Sequence, residues 1–365
     1  MVSSEIRPTG PRAPDAAADT VAGAAAGAVA EQGASSQSSL VARVFALLSD
    51  GQFHSGEDLA AALDVSRSAV WKAVKALREL GATLHAVRNR GYRLAKSSEA
   101  LDAAVIGTRL SPSVRERVRS LDVVWSIGST NTALFSRPYP PAGSTEVMLA
   151  EYQTAGRGRR GRAWLAPPGG AVCLSLSWTF RDVPEDLGAL GLVIGVCELR
   201  ALRSLGLTEG QLKWPNDVLI NDRKLGGILI ELRAESGGPA CVVIGIGLNV
   251  ALGAPLLAKI AETGIAATDL ITSGLAEPAR NTVAAALVDS CVRGLLDFER
   301  EGLRPFIEDW LDADALQGRM VDVKGAAGEV TKGLARGVDL HGALLVETPD
   351  GLKKFVSGDV TVRVS

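Results

Sequence analysis

Large apolar side chains are almost absent from the first 37 positions, where Ala, Gly, Ser and Pro dominate, and the alternation of apolar and polar positions begins only near Ser39. Residues 1–37 therefore read as a disordered tail, since such a segment cannot bury enough apolar surface to offset the entropy of ordering. Leu40, Val41, Val44, Phe45, Leu47 and Leu48 then recur at helical spacing. Ser55 is placed to cap a short helix ending near Leu63, Asp64-Val65 makes a turn, and Ser66 caps a helix running to Leu80 with Gly81 to stop it. Val70, Val74, Leu77 and Leu80 form one face of that helix, and Leu84 to Leu94 reads as a hairpin with Asn89-Arg90-Gly91 at its tip. Helix, helix–turn–helix and hairpin in this order predict a winged helix-turn-helix over residues 38–96.

Residues 97–120 are polar with one short apolar patch and read as a linker. From Leu121 strands and helices interleave. Val172, Leu174, Leu176 and Trp178 alternate with Cys173, Ser175, Ser177 and Thr179, which predicts a strand with one buried face and one small polar face. Leu187 to Leu205 is a helix closed by Gly206, Ile228 to Leu232 and Cys241 to Val250 are strands, and Asn281 is placed to cap a long amphipathic helix bearing Val283, Leu287, Cys291, Leu295 and Phe298. This is an α+β domain over residues 121–316 with a mixed sheet and flanking helices. Beyond Gln317 short strands (320–323, 333–338, 343–346 and 360–364) separated by Gly and Asp turns predict a small β-barrel over residues 317–365.

Charge changes the picture only locally. The net charge is −2 over 365 residues, yet residues 67–93 hold seven Lys or Arg (Arg67, Lys72, Lys75, Arg78, Arg88, Arg90 and Arg93) against one acidic residue, Glu79. A basic recognition helix with a basic wing predicts DNA contact through Ser66, Arg67, Ser68, Lys72, Lys75, Arg88 and Arg90. A winged helix kept only for protein contacts is the alternative. Cys173, Cys197, Cys241 and Cys291 lie far apart and His54, His85 and His341 do not cluster, so reduced buried thiols in the cytoplasm are expected and a protein metal site is not. No apolar run reaches the roughly 20 residues of a membrane span.

Four stretches of the central domain carry chemistry that a plain core does not need. Ser129-Thr130-Asn131 puts hydroxyls and an amide after the strand Val123-Val124-Trp125. Positions 156–162 hold four arginines and three glycines, Gly156-Arg157-Gly158-Arg159-Arg160-Gly161-Arg162, preceded by Gln153 and followed by Trp164. Glycine allows close approach of a ligand to the main chain, and arginine pairs in a planar fork with carboxylate or phosphate. Lys213-Trp214-Pro215-Asn216-Asp217 sets a cation beside an aromatic and a rigid proline, and Gly226-Gly227 and Gly245-Ile246-Gly247-Leu248-Asn249 place glycines inside strand-like runs, where a ligand is expected to meet the backbone. Taken singly, Ser129-Thr130-Asn131 is a helix cap, Trp214-Pro215 is packing and Gly245/Gly247 is a bulge; their combination with the arginine loop points to a site for a small anion.

The arginine loop, Lys213-Trp214-Pro215-Asn216-Asp217 and Lys224-Leu225-Gly226-Gly227-Ile228-Leu229 resemble the biotin protein ligases. From Ser39 onward the chain is similar to the bifunctional members of that family, which also repress transcription. The resemblance implies a biotin/lipoate-ligase-like (class II synthetase-like) central domain and an SH3-like C-terminal domain. It implies biotin and ATP as substrates with Mg²⁺ on the phosphates, formation of biotinyl-5′-AMP, and transfer of biotin to a lysine of a carboxyl-carrier domain. Operator DNA and a homodimer formed on binding the adenylate are the further partners it implies. By resemblance Lys213, Arg157 and Arg159 are catalytic. Ser129, Thr130, Asn131, Gln153, Arg157, Gly158, Arg159, Lys213, Gly226, Gly227, Gly245 and Gly247 would line the biotin site, and Arg159, Arg160, Arg162, Trp164, Asn216 and Asn249 the nucleotide site. Gly128 stands where many relatives carry an acidic residue, and Gly264 to Thr268 offers no aromatic to close over adenine. Three other functions fit less of the pattern: a lipoate or octanoate ligase, a ligase whose winged helix does not bind DNA, and a repressor whose pocket only senses.

Overall fold

The computed structural model describes residues 40–95, 99–234, 239–275, 279–325, 328–356 and 361–364. The expected tail of residues 1–37 and the start of the last strand at Val360 lie outside them.

The N-terminal unit follows its capping chemistry. Helix α1 (40–48) is succeeded by α2 (Gly56–Leu63) and α3 (Arg67–Glu79), and the side chains of Ser55 and Ser66 accept from the amides of Asp58 and Ala69. Asp64 takes the left-handed conformation between the two helices, and Gly81 (φ +94°) ends the second. The hairpin β1 (Leu84–Val87) and β2 (Gly91–Leu94) pairs antiparallel, and Tyr92 forms a further bridge to His54. Gly91 is required there: its φ is +93° and a Cβ would fall on the His54 carbonyl. Val44, Phe45, Leu48, Leu59, Val70, Val74 and Leu77 close a separate small core. This is a winged helix-turn-helix.

Residues 99–120 are more than a connection. Helices α4 (Ala103–Arg109) and α5 (Pro112–Arg115) bury Ile106 and Val114 in the core of the central domain. The reason is visible at α9 (Arg280–Glu301). Asn281, expected as its N-cap, instead lies one residue inside the helix and uses its amide on this segment, accepting from the Asp102 amide at 2.8 Å and donating to the Ala100 carbonyl at 2.9 Å. Ala279 occupies the cap position without a side-chain bond.

The central sheet has the order β3-β4-β5-β9-β8-β7-β6, formed by β3 (Val118–Ile127), β4 (Thr145–Gln153), β5 (Ala171–Thr179), β6 (Gln211–Lys213), β7 (Asp217–Ile220), β8 (Arg223–Ala234) and β9 (Ala240–Asn249). Only β3 and β4 run parallel; every other pairing is antiparallel. Helices α7 (Leu190–Ser204) and α9 pack on each other and cover one face with the main core, while α6 (Thr130–Phe135) covers the other with Leu134, Met148 and Val243. All nine residues of β5 are buried, its small polar face included. α6 lies over it, and Ser175 is hydrogen-bonded to Thr130 and Asn131. Helices α8 (Ala254–Ala261) and α10 (Ile307–Asp312) complete the domain.

The C-terminal strands β10 (Met320–Lys324), β11 (Val330–Val338), β12 (Leu344–Thr348), β13 (Gly351–Phe355) and β14 (Thr361–Val364) form one antiparallel sheet in the order β13-β12-β11-β10-β14. Val321, Val323, Leu344 and Val346 join the same core as the central domain, and Trp214 donates from its indole to the Gly342 carbonyl at 3.1 Å across the seam.

Candidate active site

Strand ends and three short loops converge at one end of the central sheet. There they enclose a cleft of about 1070 Å³, its open mouth included. Its inner end is built by the start of α6. Ser129 caps that helix, so the plain structural role considered for it is real, and it also lines the cleft. Thr130 donates from both its amide (2.8 Å) and its hydroxyl (3.1 Å) to the Gln153 side-chain carbonyl. Ser175 donates to the Asn131 carbonyl oxygen at 2.6 Å, and the Asn131 amide donates to Glu231 Oε2 at 3.0 Å and to the Leu229 carbonyl. This is a fixed set of hydroxyls and amides whose orientation is determined by mutual bonding. Apolar surface from Leu174, Ile246 and the Trp164 ring follows it along the cleft.

The Gly/Arg loop is a small folded unit. Gly158 donates to the Arg162 carbonyl at 2.7 Å, Trp164 to the Gly156 carbonyl at 2.9 Å, and Arg160 takes φ +58° at the tip. Arg157 pairs with Glu231 at 2.9 Å, and Arg159 donates to Asn216 Oδ1 at 3.3 Å. Arg157, Arg159 and Arg162 line the cleft, whereas Arg160 is exposed and outside the lining. Asn216, whose amide donates to the Ile228 carbonyl, and Asn249, held by the Thr268 and Lys224 carbonyls, also line it.

Two placements differ from expectation. Lys213, assigned to the junction of carboxylate and phosphate, lines a separate narrow crevice with Pro215, Asp217 and Trp310, and burial lowers its pKa. The lysine in the cleft is Lys224. Its ammonium lies 2.6 Å from Asp217 and 6.0 Å from the centre of the Trp164 ring, and its side chain is 20% exposed. The glycines are the second difference. Gly227 and Gly247 line the cleft but Gly226 and Gly245 do not. A Cβ at Gly245 would strike the Asn131 side chain, and one at Gly247 would stand 2.5 Å from the Trp164 ring. These glycines make room for the site's own side chains rather than for approach of a ligand to bare backbone.

Lys224 lines the cleft, and Ser175 and Glu231 bond to Asn131 and Arg157, which line it; the sequence assigned none of the three a role. Ser175 was readable as a member of the polar face of β5, and Lys224 stood in the motif Lys224-Leu225-Gly226-Gly227. Ile260, Thr263, Ile265 and Ala267 also line the cleft, at its outer end. Among the described residues no three His, Cys, Asp or Glu side chains gather into a metal cage.

In the winged helix, Ser66, Arg67, Ser68, Lys72, Lys75, Arg88 and Arg90 are all exposed. Ser66 is committed to its cap and Arg67 pairs with Glu57, while Arg90 stacks on Phe53 at 4.2 Å. Trp71, not singled out in the sequence, is 55% exposed on the same helix with the Lys75 ammonium over its ring at 5.9 Å.

Family models agree with these three units: the biotin/lipoate A/B protein ligase family matches residues 123–249, an HTH domain residues 42–93, and the biotin protein ligase C-terminal domain residues 317–363. The chain is 37% identical to the bifunctional ligase/repressor BirA of Escherichia coli, over 88% of this chain and 96% of that one. It is 36% identical to a biotin–[acetyl-CoA-carboxylase] ligase of Mycobacterium tuberculosis, over 66% of this chain and 88% of the relative. The biotin protein ligase from Aquifex aeolicus, solved in complex with biotin and ATP, superposes with a TM-score of 0.55 at 27% identity, covering 68% of this chain and 100% of that one. The chain thus belongs to the biotin protein ligase family and carries the helix-turn-helix of its bifunctional ligase/repressors.

Proposed function

We propose that the cleft binds biotin and ATP, joins them as biotinyl-5′-AMP and passes the biotinyl group to a lysine of a carboxyl-carrier domain. The observation that carries this is one cleft with two chemically opposite ends. Thr130, Asn131 and Gln153, oriented from behind by Ser175, offer paired donors and acceptors to a ureido ring, and Arg159, Lys224 and Asn216 converge where two anions would meet.

Activation requires a carboxylate oxygen to attack the α-phosphorus of ATP while the bond to the bridging oxygen breaks and pyrophosphate leaves. Two like charges must approach, so fixed cations lower the barrier by neutralising both and holding them in line. Lys224 supplies an ammonium already oriented by Asp217, and Arg159 a guanidinium oriented by Asn216. Trp164 excludes water above the aliphatic part of the vitamin, and Ile260 and Ile265 offer apolar surface to the base. Mg²⁺ would accompany the phosphates and supply positive charge to the departing pyrophosphate. In the second step the carrier amine attacks the acyl carbon, AMP leaves with the electrons of the acyl–oxygen bond, and the nitrogen gives up a proton. Lys213 remains a candidate for the pyrophosphate side, since its crevice shares Asn216 with the cleft.

The winged helix supplies the regulatory half of the proposal: adenylate in the cleft favours a homodimer that binds a paired operator in the cytoplasm. Support comes from the exposed basic face of α3 and the wing. Alanine at Lys72 and Arg90 should lower the salt slope of operator binding by about one for each phosphate left without its cation.

The test of the ligase is incubation with biotin, ATP, Mg²⁺ and a carrier domain, followed by mass measurement, with lipoate in a parallel reaction. A gain of one biotinyl group only with biotin supports the proposal. Modification with lipoate instead, or pyrophosphate release with neither acid, overturns it.

A further inference from the structure

One carboxyl lies where its surroundings give it no partner. Glu198 of α7 is fully buried, and neither of its oxygens has a hydrogen-bond partner among the described residues. A partnerless buried carboxylate opposes folding, and a merely structural position would be better filled by an apolar side chain. Its location is specific. Oε1 stands 3.5 Å from the position a Cβ would take at Gly226, under the strand turn that carries Lys224. The charged groups acting on it are Lys224 of β8 and Asp217 of β7, the two partners of the 2.6 Å ion pair in the active-site wall. From α9 the Cys291 thiol, hydrogen-bonded to the Cys197 thiol, feels its charge, and Lys213 of β6 feels the same Lys224 and Asp217.

Burial pushes the Glu198 carboxyl up to about 8, with the Lys224 ammonium opposing that rise and Asp217 adding to it. The group is therefore a neutral acid at neutral pH. Lys224 then answers to one anion, Asp217, and keeps the remainder of its field for the cleft. Loss of the Glu198 proton to solvent puts a second negative charge behind the ammonium, in a medium where charge is poorly screened.

We propose that Glu198 is a positioning residue for Lys224: as a neutral acid it leaves the ammonium free to hold a carboxylate or phosphate, and on ionising it weakens that hold. The inference rests on the proposal that the cleft binds these anions through Lys224. It adds a control on the ligase from outside the cleft, because Glu198 is buried and does not line it.

The experiment uses the full chain and biotinol-5′-AMP, in which a methylene replaces the reactive carbonyl, so that binding is read without turnover. Affinity is measured by calorimetry from pH 6.5 to 9 for the unaltered protein, Glu198→Gln and Glu198→Met, with folding verified by thermal melting at each pH. Two negative charges near one ammonium predict a loss of about tenfold in affinity for the unaltered protein between pH 7 and 9. Both variants should bind as the unaltered protein does at pH 7 and stay flat to within about threefold at pH 9. They should also melt higher than the unaltered protein at pH 9, since ionised Glu198 opposes folding there. Higher melting with an unchanged affinity profile would reduce Glu198 to a packing residue and overturn the proposal, as would a uniform loss at every pH. A folded protein that fails to bind the analogue at any pH would overturn the assignment of the cleft itself.

Discussion

Replacing Lys224 by Met tests which of the two lysines faces the reacting anions. Lys224 is the ammonium in the cleft wall, 2.6 Å from Asp217 with 20% of its side chain exposed, whereas Lys213 lines a neighbouring crevice. Two unit charges about 4 Å apart interact by about 4 kcal/mol at an effective dielectric of 20. Partial exposure and the flexible stem reduce what is realised, and loss of one preorganised donor to a developing charge costs about 3–4 kcal/mol in well-studied enzymes. We therefore expect Lys224→Met to slow adenylate formation by about 10²- to 10³-fold. Asp217, deprived of its partner but itself a quarter exposed, can take up water, so the fold should survive. The assay is single-turnover pyrophosphate release with biotin and ATP, alongside Lys213→Met. Normal adenylation by Lys224→Met together with a severe loss in Lys213→Met would refute the geometric argument and return the role to the lysine beside Trp214.

Three further outcomes follow from the same packing. Gly247→Val should displace the Trp164 indole, since even a Cβ would stand 2.5 Å from the ring, and raise the KM for biotin; unchanged biotin binding would show that the indole can be spared. Arg280→Met should cost about 3–5 kcal/mol in urea unfolding, because it strands Glu151 in a pair whose side chains are 1% and 6% exposed, and a loss below about 1 kcal/mol would contradict this. Asp314 is pushed by burial up to about 6, so the folded state holds its proton while the unfolded state releases it, and stability falls as pH rises from about 4 through 6. Asp314→Asn should remove that decline, worth about 3 kcal/mol by the shift alone, with melting curves at pH 4 and 7 as the check.

Much of the N-terminal unit was legible because it is built from local rules. Ser55, Ser66 and Gly81 act through backbone groups a few residues away, and the structure uses each as its chemistry suggested. Elements that depend on distant partners were harder to read. Asn281 has the chemistry of a cap, but its amide is taken by Ala100 and Asp102, 181 and 179 residues away in sequence. The segment 97–120 looked like a linker because its few apolar residues are spread across two short helices that complete the core of the neighbouring domain. Strand β13 escaped notice because Leu352, Lys353 and Lys354 are exposed on the outermost strand of its sheet, where no burial imposes alternation.

At the candidate site the motifs gather around one cleft, but the side chains that line it are not all the ones the spacing singled out. Lys213 drew attention by standing next to Trp214 and Pro215, whereas Lys224 gains its place through the β7–β8 turn, which folds it back onto Asp217. Gly245 and Gly247 announced close approach correctly, but what approaches is Asn131 and Trp164. A one-dimensional pattern records that space is needed and not which group fills it. Ser175 shows the converse: an unremarkable serine becomes the hinge of the polar network once α6 is laid over β5.

The most direct measurement is a crystal structure of this protein grown with biotinyl-5′-AMP. The account places the ureido ring among Thr130, Asn131 and Gln153, and the phosphate within hydrogen-bond distance of Lys224 Nζ and the Arg159 guanidinium. A ligand in the reverse orientation, or a phosphate contacted by neither cation, would contradict it.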